Sequence, residues 1–461
     1  MSGLFSSLHT ASTALNVFSR SLGTDQANVA NASTPGYAAA RANILPIDIS
    51  GSGSSADFIS LSSSSDSRAD ALVRAASSQA SSSQTQAQEL SPVNQLFDIT
   101  GSTGILAALQ QFSSAFSSLS VSPNDATLGA AALNAAGNVA SAFQSVAASL
   151  DDQRNQLDSS IQATTAQINS LAGQIRQLNI QARGQTEVNP GLDASFRTAL
   201  EQLSSLVDIT VLKNADGSIS VLAGGELPLV NGDQAYSLTA TPAAPPGTQV
   251  SSSAGGSSPG SFSGQLGALL QTRNGAITQL LGSDGDPGVL NTLAAGFASR
   301  VNSLLAAGHT TSGAAGSAIF TFDSTDPANA ARTLALDTSV TPAELGVATT
   351  GASGQSNGVA NQLAALPGSK DPADQIDGLS PLDLFASIAA SVGQQLASAQ
   401  DASAADQTTL TSAQSNRQQR SGVSLDQEAV TITALQRSYE ASARIVSILD
   451  ELSGDEVNLI K

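Results

Sequence analysis

Apolar residues return at alternating spacings of three and four over long stretches of this chain, the period of a helix that buries one face. The longest run is Leu133, Ala136, Ala140, Phe143, Ala147, Leu150, Arg154, Leu157, Ile161, Thr164, Ile168, Leu171, Ile175 and Leu178, with only Arg154 and Thr164 polar. It predicts one unbroken helix after Ser122-Pro123-Asn124, roughly 70 Å long at about 1.5 Å per residue. A helix of that length needs neighbours along its seam to offset the entropy of ordering it, so a rod of packed helices follows.

Both ends of the chain carry a seven-residue period. Leu8, Leu15, Leu22 and Val29 lie seven apart, with Leu4, Ala11 and Phe18 between them. Leu425, Ile432, Tyr439 and Val446 repeat the pattern, joined by Leu435 and Leu449, while Glu428 and Ser442 interrupt it. Pairing of the two terminal helices is the simplest account of both seams. The first helix is expected to end near Asn31, because Pro35 drives Thr34 out of the helical region and Pro35-Gly36 suits the centre of a type II turn ahead of Tyr37.

Between the ends, residues 67–122 read as helices broken around Ser91-Pro92 and Gly101–Gly104. Ile44–Ile49 looks extended and residues 50–66 read as a Ser/Gly-rich loop. Alternation at Ile209/Val211 and Ile219/Val221 around Asn214-Ala215-Asp216-Gly217 predicts a hairpin, with a third strand over Leu227–Val230. Residues 241–260 read as loop, helix resumes over about 264–307, and Ile319–Phe322 and Thr333–Leu336 look like short strands. Helix returns over roughly 375–418 and 423–453.

The resulting fold class is mainly α with a smaller β-rich part. The terminal helices form a coiled-coil-like axial domain attached to a long helical-bundle rod domain with short β-hairpins. The expected division is 1–45 and 420–461 as the two axial halves, and 46–205, 263–310 and 366–419 as rod. Residues 206–262 and 311–365 form the β-rich or loop segments.

Composition narrows the function. Lys+Arg 18 against Asp+Glu 37 gives a net charge of −19, which disfavours a nucleic-acid backbone as partner. With 12% charged and 41% hydrophobic residues the chain is not disordered by charge excess. Aromatics make up only 3% with no Trp, which favours cores of aligned aliphatic side chains on long helices. Cysteine is absent, so disulfide frameworks, zinc–thiolate clusters and a Cys nucleophile are excluded. No apolar run approaches membrane-spanning length, and the start, free of basic residues before Arg20, is not that of a cleaved secretory signal.

A search for catalytic motifs ends without a site. Gly-x-Ser-x-Gly occurs around Ser258 and Ser356, but only His309 follows the first and no histidine follows the second. His9 and His309 stand far apart, outside any zinc-hydrolase context, and none of the lysines completes a phosphate-binding loop. Asp284-Gly285-Asp286-Pro287 opens like a calcium loop, but Ala295 stands where the bidentate carboxylate belongs, so the stretch reads as a polar turn between helices. No catalytic, cofactor or metal residue is assigned.

The terminal motifs carry a resemblance. Ala27-Asn28-Val29-Ala30-Asn31 through Thr34-Pro35-Gly36-Tyr37 resembles the N-terminal signature of the bacterial flagellar axial proteins, the rod, hook and hook-associated group. Ser421-Gly422-Val423-Ser424-Leu425-Asp426-Gln427-Glu428, continuing through Leu435–Arg444, resembles their C-terminal signature. Gln167–Leu171 with Leu178-Asn179, Asp216-Gly217, and Leu269-Leu270 to Phe297 with Val301-Asn302 are similar to the first hook-associated subfamily.

The resemblance implies a structural subunit at the junction of hook and filament, exported without a cleaved signal. It implies assembly through Leu8, Leu15, Leu22, Val29, Pro35, Gly36, Tyr37, Leu425, Ile432, Leu435, Tyr439, Val446 and Leu449. Its implied partners are further copies of itself, the hook protein, the second hook-associated protein and an export chaperone on the C-terminal helix, with no nucleic acid and no membrane. The alternatives are another axial protein (hook subunit or second hook-associated protein), a secreted surface protein, and a serine hydrolase.

Overall fold

The long seam is where the periodicity places it. In the computed structural model, Leu133, Ala136, Ala140, Phe143, Ala147, Leu150, Leu157, Ile161, Thr164, Ile168, Leu171 and Ile175 are all buried. Arg154 and Leu178 are half-buried. The structure describes residues 2–44, 59–101, 103–185, 189–242, 247–255, 261–283, 285–349 and 356–459. The stretch read as extended over 45–49, Ser258 and Asp284 lie outside the described residues.

The chain opens with helix α1 (Ser2–Asn31), ending where Pro35 requires, and then forms an antiparallel pair, β1 (Ala40–Ile44) and β2 (Ile59–Ser63). Strand β2 occupies part of the stretch read as loop. It places small serines opposite β1, a pairing that hydrophobic alternation does not reveal. Helices α2 (Ser67–Gln95), α3 (Gly104–Val121), α4 (Ala126–Ala182) and α5 (Pro190–Leu206) follow. The starts of α2 and α4 are capped: Asp66 Oδ1 accepts from the amides of Arg68 and Ala69, and Asp125 Oδ1 from Thr127 and Leu128. Asn189 caps α5 with Pro190 at its first position.

Pro92 does not break α2. It falls in the last turn, where Leu90, Val93 and Phe97 are buried, and that packing offsets one lost backbone hydrogen bond. The helix stops at Gln95 instead, as the Leu96 and Phe97 amides turn back to Val93 and Asn94.

Strands β3 (Ile209–Lys213), β4 (Ile219–Ala223), β5 (Leu227–Asn231) and β6 (Gln234–Ala235) form one meander in sequence order. A second hairpin pairs β7 (Leu238–Thr241) with β8 (Gln249–Ser252), and β8 lies within the 241–260 stretch expected to be loop; buried Leu238 and Val250 hold the hairpin among Ser, Thr and Ala.

Helix α6 (Gly264–Gln271) passes through a π-helical turn, Thr272–Ile277, into α7 (Thr278–Leu281), and α8 (Val289–Ala307) begins anew. Helix over about 264–307 with a polar turn between helices at residues 284–287 was the expectation, and the break before α8 falls there. Gly282, Gly285 and Gly288 take positive φ, and a Cβ at Gly282 would meet the Asp286 carbonyl oxygen at 2.3 Å, so the chain turns tightly there. Then come β9 (Phe320–Thr321), α9 (Ala330–Thr333), β10 (Ala335–Leu336), which pairs with β9, α10 (Gly358–Ala365), α11 (Pro381–Ser421) and α12 (Leu425–Leu459). No described helix is long and apolar enough to cross a membrane.

The chain divides into two compact units: Met1–Ala80 with Ile168–Ser237 and Asp406–Lys461, and Ser81–Gln167 with Leu238–Ala405. The second holds the aromatic core. Phe112 lies 4.5 Å from Phe116 and meets Phe297 edge-on at 5.2 Å, and Phe297 continues to Phe320.

One device recurs within each unit. A buried or half-buried helical asparagine exchanges two hydrogen bonds with the backbone of a single residue in an extended segment, as a neighbouring strand would. Asn179 donates to the Ile219 carbonyl at 2.8 Å and accepts from its amide at 2.8 Å, and also donates to Gly232. Asn302 does the same to Phe320, and Asn274 to Thr248. Each satisfies backbone groups that would otherwise be buried unpaired.

Candidate assembly interface

The N-terminal signature uses the same device. Asn28, 1% exposed, donates to the Ala40 carbonyl at 2.8 Å and accepts from the Ala40 amide at 2.9 Å. The Tyr37 hydroxyl also donates to Asn28 Oδ1. Between them the Tyr37 amide bonds the Thr34 carbonyl and Gly36 takes φ +74°, which makes Thr34–Tyr37 the type II turn its residues predict.

That turn is fastened to α5. The buried Arg197 guanidinium donates to the Gly36 carbonyl and, at 3.1 Å, to Asp70 on α2, while Thr198 donates to Pro35.

The C-terminal signature joins the same place. The Ser421 carbonyl accepts from the Ala39 amide and the Ser64 hydroxyl, and its own hydroxyl accepts from the Asp66 amide. Arg420 pairs with Asp66 at 3.1 Å. Two amides and this guanidinium hold the Asp66 carboxyl below its usual range. The two signatures thus form one hydrogen-bonded node from which α1 and α12 both leave.

Helix α1 packs along α12. Leu8, Leu15 and Leu22 are half-buried, and Val29 is exposed. On α12, Ile432, Leu435, Val446 and Leu449 are half-buried, as are Glu428 and Ser442 of the same seam. Leu425 and Tyr439 are exposed. Pro35 is exposed, and Gly36 and Tyr37 are half-buried. Val430, Ile445, Ile448 and Leu452 are exposed on a second side of α12 that seven-residue counting did not single out, although their spacing of three and four marks Ile445, Ile448 and Leu452 as one face.

Polar groups stand at this helix contact. Burial, the Glu428 charge and a hydrogen bond to Glu428 raise the Asp25 carboxyl from 3.8 to about 6. Burial and Glu428 also raise the Tyr37 phenol.

The structural roles of Asn28, Asn179, Asn302 and Arg197 were not assigned from sequence. The available signal is a lone asparagine beside an apolar seam residue, as in Leu178-Asn179 and Val301-Asn302. Among the described residues no three His, Asp or Glu side chains converge to hold a metal ion. Ser356 lies in an exposed turn directly before α10.

These features define a structural protein of the flagellar axial class, tied by its terminal signatures. The family model described as the flagellar hook-associated protein FlgK helical domain matches residues 90–320. The model for the C-terminal part of flagellar basal body rod FlgEFG proteins matches residues 414–459. The chain belongs to the FlgK family of hook-associated proteins.

Flagellar hook-associated protein 1 of Bacillus subtilis (strain 168) is 28% identical over 516 residues, covering 99% of each chain. The protein of the same name from Salmonella typhimurium is 26% identical over 267 residues, covering 55% of this chain and 47% of that one. The flagellar hook junction protein FlgK from Burkholderia pseudomallei shares the fold with a TM-score of 0.64 at 16% identity, covering 76% of this chain and 99% of that one. Family membership makes this chain a structural hook-associated protein of the bacterial flagellum, at the junction of hook and filament.

Proposed function

We propose that the chain enters the junction through α1 and α12 and performs no catalysis there. Residues 1–45 and 420–461 act as the axial halves and the remaining helices as their scaffold. The partners are further copies of the chain, the hook protein on one side and the second hook-associated protein on the other. An export chaperone covers α12 before assembly.

The observation that carries this reading is the second side of α12, where Val430, Ile445, Ile448 and Leu452 are each about half or more exposed beside the helix contact already made with α1. A helix apolar on two sides is suited to two neighbours, and α1 supplies only one. The test is addition of the full-length chain to isolated hook ends, followed by electron microscopy. Ile445→Asp with Ile448→Asp is expected to abolish addition while leaving the helical circular dichroism signal unchanged, since both side chains are exposed. Undiminished addition by that variant would overturn the reading.

A further inference from the structure

A cavity of about 600 Å³ opens beside the node, lined by Ser21 and Asp25 of α1, the Ala39–Ala42 segment, the end of α11, and Glu428 of α12. Ser21 is 4% exposed, yet its Oγ has no hydrogen-bond partner, and the buried Asp25 Oδ2 has none either. A buried acceptor without a partner is costly, and here two such oxygens and a second carboxylate face one space. Of the cations and the phenol beside it, all but Arg41 are engaged elsewhere. Arg420 is engaged by Asp66 and Asn416, Tyr37 by Asn28, and Arg41, exposed on β1, lines the cavity wall.

The complementary charge lies on α12. Arg437 and Arg444 sit one heptad apart, exposed, and make no ion pair among the described residues. By helical position they flank the second apolar side of α12. In a chain with 18 cations against 37 carboxylates, unpaired arginines are the scarcer resource.

We propose that the Ser21–Asp25–Glu428 notch of one copy receives the Arg437 or Arg444 guanidinium of a neighbouring copy. The planar fork of a guanidinium can meet two carboxylates and a serine oxygen at once, which a single proton cannot. This contact rests on the assembly reading above, because it forms only if α12 packs against another copy.

The experiment compares the full-length parent with Glu428→Gln, with Arg437→Glu/Arg444→Glu, and with the three changes Glu428→Arg/Arg437→Glu/Arg444→Glu, each added to isolated hook ends and each melted as the free chain. Glu428→Gln is expected to weaken addition about tenfold without lowering the melting temperature, because it removes one of two crowded carboxylates. Arg437→Glu/Arg444→Glu is expected to weaken it at least as much, and the triple variant to recover most of the loss. A triple variant no better than the arginine pair overturns the contact. So does loss of addition in Arg41→Gln alongside full addition by Arg437→Glu/Arg444→Glu, which would assign the notch to Arg41 of the same copy. Parent addition with no effect of any variant removes this contact and leaves the assembly role standing; a parent that never adds to hook ends overturns both.

Discussion

Replacing Asn28 by Ala isolates the device that ties α1 to the chain following it. The substitution strips the buried Ala40 amide and carbonyl of their only side-chain partner and frees the Tyr37 hydroxyl, which is half-exposed and finds water. Two buried backbone groups left unpaired cost about 1–2 kcal/mol each, or about 2–4 kcal/mol together. Because the unfolding is local, the reading is hydrogen exchange at the Ala40 amide, which should accelerate about 30- to 1,000-fold. Asn31→Ala is the control: Asn31 donates to the Ala27 carbonyl and accepts from the Thr34 hydroxyl, both exposed, and its loss should change exchange less than about threefold. An Ala40 amide that stays protected in Asn28→Ala, or an Asn31→Ala that behaves alike, would refute the strand-partner role.

Gly36→Ala should loosen the turn by more than about 1 kcal/mol, since φ is +74° and the new Cβ would lie 2.8 Å from both the Ala194 carbonyl oxygen and Thr198 Oγ1; denaturant unfolding followed by tyrosine fluorescence measures it. Arg197→Ala leaves Asp70 buried without its cation and should cost about 3–5 kcal/mol in the same assay, more than Arg183→Ala, whose pairs with Asp216 and Asp233 are exposed. The Asp25 carboxyl holds its proton up to about pH 6 in the folded chain against 3.8 unfolded, so the α1–α12 contact carries its full penalty above pH 6 and gains stability as pH falls toward about 4. Screening by solvent reduces that gain to about 1 kcal/mol. Exchange of α12 amides should therefore slow from pH 7 to pH 5 after correction for intrinsic rates, and Glu428→Gln should flatten the dependence.

Much of the architecture was legible because period alone reports it. The long seam of α4 and the end of α1 before Pro35 both follow from residue type and spacing. The misreadings have physical causes. Pro92 reads as a breaker, but its neighbours Leu90 and Val93 are core residues and the helix runs on for the sake of their packing. The turn at residues 284–287 was legible, but not how tight it is: the Asp286 carbonyl and the preceding helix end leave no room for a Cβ at Gly282 or Gly288. The hairpin of β7 and β8 is built largely from Ser, Thr and Ala, and Leu238 and Val250 are its only buried apolar side chains, too few positions to show alternation. Long-range backbone clamps such as Asn28 to Ala40 are invisible to any local window, because the asparagine belongs to one element and the need it meets to another.

The same division explains how the terminal helices combine a fixed base with a contact whose seam is partly polar. At the base, Asn28, Ser421 and Arg197 satisfy backbone groups that have no alternative donor or acceptor once buried, so this node resists opening. Further along, Glu428 and Ser442 sit in the α12 seam, and Ser21 and Asp25 sit on α1 where an apolar pair would pack best. Each polar side chain lowers the hydrophobic gain of the pair within one copy, by roughly 1 kcal/mol or more for a buried group without a partner. Helices anchored at one end and paired beyond it through a partly polar seam would, on the proposed assembly, give up less in sharing that seam with a neighbour. A tightly apolar pair would have closed that option, so Glu428→Leu is expected to stiffen α1 against α12, slowing α12 exchange, while reducing addition to hook ends. Faster addition by that variant would show that the polar seam hinders assembly rather than serving it.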